Sequence, residues 1–148
     1  MHKVIKEMLS AQHLLYVSLK YTKTCDVILN LIQRWSNMID LSNTLLLERA
    51  KKKKLVKDIP VAPKLRIDLV EKTFHKEELI KDVIKLYIFF RKIAQSELVR
   101  EHEFRKNVTL RVISEAGTET AIDLNKLKEW QELLEKFINF VKDYVKLK

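Results

Sequence analysis

Residues 25–46 read CDVILNLIQRWSNMIDLSNTLL, and the apolar spacing in this segment decides the fold. Apolar side chains recur at steps of three and four residues, interrupted only by Ser42. The positions that share this spacing are Cys25, Ile28, Ile32, Trp35, Ile39 and Leu46. It is typical of the buried seam of a helical bundle, so it predicts a long helix with partner helices. Arg49 and Lys53 continue the register, so the last turns are expected to project beyond the core.

Three further long helices and one short helix are predicted around this one. Helical spacing predicts a first helix over about residues 2–21 and another from about Lys76 to Leu98. Pro63 is placed to open a short helix that ends near Phe74. The last helix, within residues 124–146, has the most regular seam, formed by Leu127, Trp130, Leu134, Phe137, Val141 and Tyr144.

Turn-forming residues are scarce, with one glycine and two prolines, which argues against a sheet protein. Val108, Leu110 and Val112 alternate like a strand, although a helix tail also accommodates Val108 and Val112. We favour a frayed or extended helix end there and a loop over residues 114–121. The predicted fold class is therefore all-α, an up-and-down helical bundle of four long helices plus one short helix. It is expected to form a single domain over residues 1–148.

Composition excludes several classes of protein. The single glycine, Gly117, excludes the glycine-rich loops that bind phosphates and dinucleotides. The lone Cys25 excludes an internal disulfide and a structural zinc site, and it fits a reducing compartment. No apolar run approaches the roughly 20 residues that a membrane span needs, so we expect a cytoplasmic protein. The abundance of lysine and glutamate resembles that of proteins from thermophiles.

Positive charge is concentrated at the end of the second helix and just beyond it, in a chain of net charge +9. The candidate nucleic-acid-binding residues are Arg49, Lys51, Lys52, Lys53, Lys54, Lys57, Lys64 and Arg66. Lysines on a projecting helix end can replace counterions on phosphates. The competing interpretation is a solvated helix end, because lysines complement the dipole there and four in succession point around all faces. No motif reads bases, so salt-sensitive contact with the phosphate backbone is expected.

A second polar cluster follows the predicted third long helix. Its members are Glu97, Arg100, Glu101, His102, Arg105 and Asn107. On a continuing helix, Glu101 lies one turn from both Glu97 and Arg105, which would bring an acid, a base and cations together near a phosphodiester. A solvated, ion-paired segment is the alternative interpretation.

Other catalytic and metal-binding patterns are missing from the sequence. The four histidines are scattered and form no HExxH or Glu-x-x-His pair, so neither a metal site nor a cofactor is predicted. Cys25 lies on the predicted seam, where a small core residue is expected rather than a nucleophile. We therefore expect a protein that is not an enzyme.

A small all-helical chain also resembles, in architecture, the HEPN superfamily of cytosolic helical bundles, which are often linked to RNA cleavage. Ribonucleases of that family carry an arginine, a polar residue and then a histidine four to six positions after the arginine. Here Arg105 is followed by Lys106 and Asn107 without such a histidine, and His102 lies two residues after Arg100. The resemblance implies an RNA-directed protein that lacks the usual catalytic motif.

Three functions follow as hypotheses. The first is a non-enzymatic basic helical module in a nucleic-acid-associated assembly, with RNA or DNA as the partner. The second is an oligomeric scaffold or protein-interaction subunit, in which the 124–146 helix pairs with a copy of itself or another protein. Four apolar residues widen its seam for that purpose, namely Leu133, Ile138, Phe140 and Val145. The third is a hydrolase that uses the cluster around His102.

Overall fold

The structure is a computed structural model that describes residues 1–146, which form five helices and one three-stranded antiparallel sheet. Helix α1, residues 2–21, has three consecutive parts: α-helical His2–His13, π-helical Leu14–Ser18 and a last α-helical turn, Leu19–Tyr21. The other helices are α2 (Cys25–Lys52), α3 (Pro63–Thr73), α4 (Glu78–Lys92) and α5 (Leu124–Val145), and a 3-10 turn, Ile93–Gln95, follows α4. The strands are β1 (Glu97–Glu101), β2 (Thr109–Ile113) and β3 (Glu119–Ile122), in the order β1-β2-β3.

The prediction of an all-α bundle of four long helices is wrong, because the chain between α4 and α5 forms this sheet. Leu110 and Val112 of β2 are buried on one face, while Thr109, Arg111 and Ile113 are only half-buried. This two-residue alternation matches the pleat of a strand, whereas a helix would turn the same side chains to different sides. The predicted extension of α4 to Leu98 fails, and part of the predicted 114–121 loop is β3. The resemblance to the HEPN superfamily depended on an all-helical architecture, which the sheet contradicts.

Helix α2 is the centre of the fold, since it contacts α1, α3, α4, α5 and strand β2. The predicted seam from Cys25 to Leu46 is buried. Ser42 interrupts the apolar seam without leaving a buried polar group unpaired, because its hydroxyl donates to the Met38 carbonyl at 2.7 Å. Ala50 is also buried, so the projecting part of the helix begins at Lys51, later than expected.

Aromatic rings surround the middle of α2. Trp35 is completely buried, stacks on Phe90 of α4 with ring centroids 6.1 Å apart, and meets Trp130 of α5 edge-on at 6.4 Å. Phe90 and Trp130 are themselves in edge contact at 5.4 Å. Edge-on and offset stacked pairs are the arrangements that aromatic quadrupoles favour. Three helices are therefore joined at one aromatic cluster.

The molecule has two chemically different ends along the direction of α2 and α5. Trp35 and Trp130 pair near the middle, while Arg49 and Tyr144 line one groove further along, so α2 and α5 run in the same direction. Both helices end on the same side of the molecule, which also carries the cations of residues 49–57. We call this side the basic end. At the opposite end, the sheet end, the Cys25 thiol donates to the Thr109 carbonyl at 3.4 Å and ties α2 to β2.

Helix starts at the sheet end are capped. The Thr24 hydroxyl accepts from the Val27 amide, and the Asp123 carboxylate accepts from the Lys126 amide at 2.8 Å. Side-chain caps of this kind satisfy amides that have no partner within the helix. No helix within residues 1–146 has both the length and the apolar character that crossing a membrane requires.

Replacing Trp35 by alanine should destabilise the protein by about 3–5 kcal/mol, because the change opens a cavity where three helices meet. Urea unfolding followed by circular dichroism measures this loss. The matched control is Ile88→Ala on α4, whose side chain is partly exposed and should contribute far less. A loss at Trp35 no larger than that of the control would contradict this account of the core.

Candidate nucleic-acid interface

The basic end carries a dense, uncompensated cluster of cations. Residues 49–57 contain six cations and no carboxylate. Lys51, Lys52, Lys53, Lys54 and Lys57 are all exposed. Across residues 1–146, none of these five lysines takes part in a salt bridge. Their charge therefore has no carboxylate partner in that part of the chain and is available to an anionic partner.

The end of α2 explains how these lysines are displayed. Leu55 donates its amide to the Ala50 carbonyl at 2.9 Å, and Lys54 donates to Lys51 at 3.0 Å. This pair of hydrogen bonds is a Schellman motif, which needs a left-handed residue at the position after the C-cap. Lys54 occupies that position with φ of 62°, where glycine is usual. The motif stops the helix at the lysine run and turns the chain away.

Two of the predicted basic residues lie apart from this cluster, on α3. Arg66 donates to Asp40 at 3.0 Å and to the Val61 carbonyl, and only 16% of its side chain is exposed. It fastens α3 and the preceding connector to α2, so its charge is already partnered. Lys64 is exposed in the first turn of α3. Arg66 therefore differs from the other candidate residues, because its guanidinium already has hydrogen-bond partners.

A groove of about 450 Å³ adjoins the lysines between the ends of α2 and α5. Lys53 places its ammonium 4.4 Å from the ring centroid of Tyr144, a cation–π contact. Phe140 and Tyr144 are stacked with ring centroids 6.2 Å apart. Asp143 contributes the one carboxylate of the groove lining. The lining comprises Arg49, Lys53, Phe140, Asp143, Tyr144 and Lys146.

Two polar atoms of this groove are buried without a partner among residues 1–146, the Arg49 Nε and the Tyr144 hydroxyl. Burial raises the pKa of the Tyr144 phenol, and the charge of Arg49 opposes that rise. Tyr144 is therefore a neutral hydrogen-bond donor near pH 7. A buried polar group without a partner is typically unfavourable by about 1–3 kcal/mol.

The aromatic half of this groove could not be found from the sequence. Tyr144 was predicted only as a residue of the α5 seam, and Lys146 as part of the last helix. Their position beside Arg49 depends on α2 and α5 running in parallel, which is a tertiary property. The local signal was limited to Phe140 and Tyr144, which are four residues apart and share a helix face.

The structure divides the predicted polar cluster around His102. Arg100 pairs with Asp26 at 2.8 Å and with Glu103 at 3.5 Å, while Glu101 pairs with Arg111 at 3.0 Å. Glu97 and Glu101 stand at opposite ends of a strand, roughly 13 Å apart by the rise of extended chain rather than one helical turn. The expected acid, base and phosphate-holding arrangement is therefore not assembled.

The remaining members of that cluster face solvent. His102, Arg105 and Asn107 are exposed in the turn that joins β1 to β2. His102 has a left-handed backbone, with φ of 55°. Within the described chain, no three histidine, cysteine or acidic side chains lie together as ligands for one metal ion.

Cys25 lies in the core, as its place on the seam predicted. Burial raises the pKa of its thiol, and the charge of the nearby Glu103 carboxylate raises it further. Because the thiolate is the reactive form, the neutral thiol is a poor nucleophile near pH 7.

The 124–146 helix uses its seam within its own chain. The seam residues Leu134, Phe137 and Val141 are buried in the core. Of the four residues expected to widen the seam, Ile138 is also buried, and Leu133, Phe140 and Val145 pack partly against the core. The solvent-facing side of α5 is mostly charged or polar. Much of the apolar surface proposed for a partner therefore packs within the chain, and the rest of it is partly buried.

Comparisons with protein-family models, with curated proteins and with solved structures find no match for this chain.

Replacing Lys54 by glycine should make the protein more stable than replacing it by alanine, by about 1 kcal/mol, because only glycine adopts the left-handed conformation without steric conflict. Both substitutions remove the same charge, so their difference isolates the backbone conformation. Urea unfolding of the two variants measures it. Equal stability would contradict the assignment of a strained lysine at the end of α2.

Proposed function

We propose that this protein is a non-enzymatic nucleic-acid-binding module that contacts the phosphate backbone with its basic end. The observation that carries the proposal is the group of five exposed lysines at residues 51–54 and 57, which has no salt-bridge partner across residues 1–146. Lysines that neutralise phosphates release condensed counterions, which gives affinity without reading the sequence. RNA and DNA both offer this charge.

Two features support this proposal over a merely solvated helix end. Lys54 holds a strained backbone conformation that glycine would adopt freely, so this position carries a cation at a cost in stability. The lining of the adjoining groove contains three cations, Arg49, Lys53 and Lys146, against one carboxylate. Complementing a helix dipole needs neither feature.

Nucleic-acid binding should weaken steeply with salt, and the double variant Lys51→Gln/Lys52→Gln should reduce the salt dependence by about one unit of log–log slope per lysine. These two residues are exposed and lie before the strained Lys54, so the end of the helix keeps its conformation. Fluorescence anisotropy with labelled DNA and RNA, over a series of salt concentrations, measures both quantities.

The matched control is Lys85→Gln/Lys136→Gln, which removes the same charge from exposed positions on α4 and α5. Equal effects of the two double variants would show that only net charge matters and would refute the basic end as the contact. Absence of binding at low salt would refute the function altogether.

A second candidate is a protein-interaction subunit, favoured by apolar side chains on the outer surface of α1. Leu9, Tyr16 and Val17 are exposed there. This surface differs from the one predicted from the sequence, which was the seam of the 124–146 helix. That seam packs mainly against the core.

If α1 mediates self-association, the double variant Leu9→Glu/Val17→Glu should convert an oligomer to a monomer, because charge on an apolar interface is costly to desolvate. Light scattering coupled to gel filtration determines the mass. Wild-type protein that is monomeric at all concentrations would remove the homo-oligomeric form of this candidate.

A further inference from the structure

The sheet end presents two aromatic rings to solvent. Phe104 is 74% exposed and Tyr21 is 78% exposed, whereas the other five phenylalanines are buried or half-buried. The Phe104 amide donates to the Lys23 carbonyl at 2.6 Å, so the turn that carries Phe104 is fastened beside the end of α1 that carries Tyr21. Both rings are more exposed than that of Tyr16, the other exposed aromatic side chain in residues 1–146, which is 51% exposed.

The backbone at Phe104 is strained. Its φ is 67°, and His102 two residues earlier is also left-handed. A left-handed conformation is unusual for a bulky residue and is found where surrounding contacts enforce it, often at functional sites. Here the contacts are the bond to Lys23 and two within the turn, from Arg105 to His102 at 3.1 Å and from Val108 to Arg105 at 3.0 Å.

Cations flank both rings. Lys20 places its ammonium 5.8 Å from the Tyr21 ring centroid and, with Lys23, lies on the α1 side, while Arg105 and Lys106 follow Phe104. In the described part of the chain, these four cations form no salt bridges. The acidic groups nearby, Asp26 and Glu103, are both paired with Arg100.

We propose that Phe104 and Tyr21 form a stacking platform for unpaired bases of a single-stranded nucleic acid, whose phosphates are held by Lys20, Lys23, Arg105 and Lys106. Aromatic rings interleaved with cations bind single strands because every base has a face that stacks, whatever its identity. Bases within a duplex are already stacked on each other, so the platform discriminates in favour of single strands.

This platform is separate from the basic end. The 28 residues of α2 place the two ends roughly 42 Å apart, at about 1.5 Å per residue. The proposed function needs only phosphates and treats duplex and single strand similarly. The sheet end adds a preference between them, and either contact can exist without the other.

The test uses oligothymidine strands and a duplex of equal length, with the single strand labelled by 2-aminopurine to report stacking. Phe104→Ala should weaken binding to the single strand by about 5- to 150-fold, the range for loss of one stacked base, and should leave duplex binding unchanged. Phe104→Trp should preserve single-strand binding and the stacking signal. Phe104→Gly should lose binding while folding at least as stably as the wild type, because glycine relieves the strain.

Unchanged single-strand affinity in Phe104→Ala would overturn the proposal, and the exposed ring would then be assigned to contact with a protein. Loss of binding that Phe104→Trp fails to restore would also overturn it, since a structural role would not require an aromatic face. If Lys51→Gln/Lys52→Gln has no effect while Phe104→Ala weakens single-strand binding, the basic end is refuted and the platform stands. If only the lysine variant weakens binding, the platform is refuted.

Discussion

Burial of one face of α2 is the constraint on which the rest of the structure depends. Every other helix, and the middle strand of the sheet, packs against it. Trp35 anchors this face because its ring is large enough to reach both α4 and α5. Helices of this length gain most of their stability from such packing rather than from local propensity. The two ends of α2 therefore fix where the basic end and the sheet end lie, about one helix length apart.

The helices were largely predictable because each has a local, repeating signal. Pro63 marked the start of α3, and the regular seam marked α5. The sheet was not predicted, since Val108, Leu110 and Val112 fit either a strand or a helix tail. The strand is formed because these residues pair with residues 97–101 and 119–122. A local sequence pattern does not reveal such pairing.

The candidate sites were predictable to different degrees for the same reason. A run of lysines is visible in any sequence, and its position at a helix end followed from the apolar periodicity. The groove at Tyr144 required the parallel alignment of α2 and α5. The exposure of Phe104 was harder still to predict, because its turn contains no glycine that would indicate a left-handed backbone. Residues His102 and Phe104 adopt that backbone only because tertiary contacts hold them there.

Strand β1 lies at one side of the sheet and leaves backbone groups unpaired, which exposes the molecule to aggregation through strand addition. Its sequence, Glu-Leu-Val-Arg-Glu, opposes the simplest form of that reaction. If two copies paired antiparallel about Val99, each Glu97 would face a Glu101 of the other copy. Like charges directly opposite each other destabilise such a pair. The two glutamates of this strand therefore disfavour symmetric extension of the sheet.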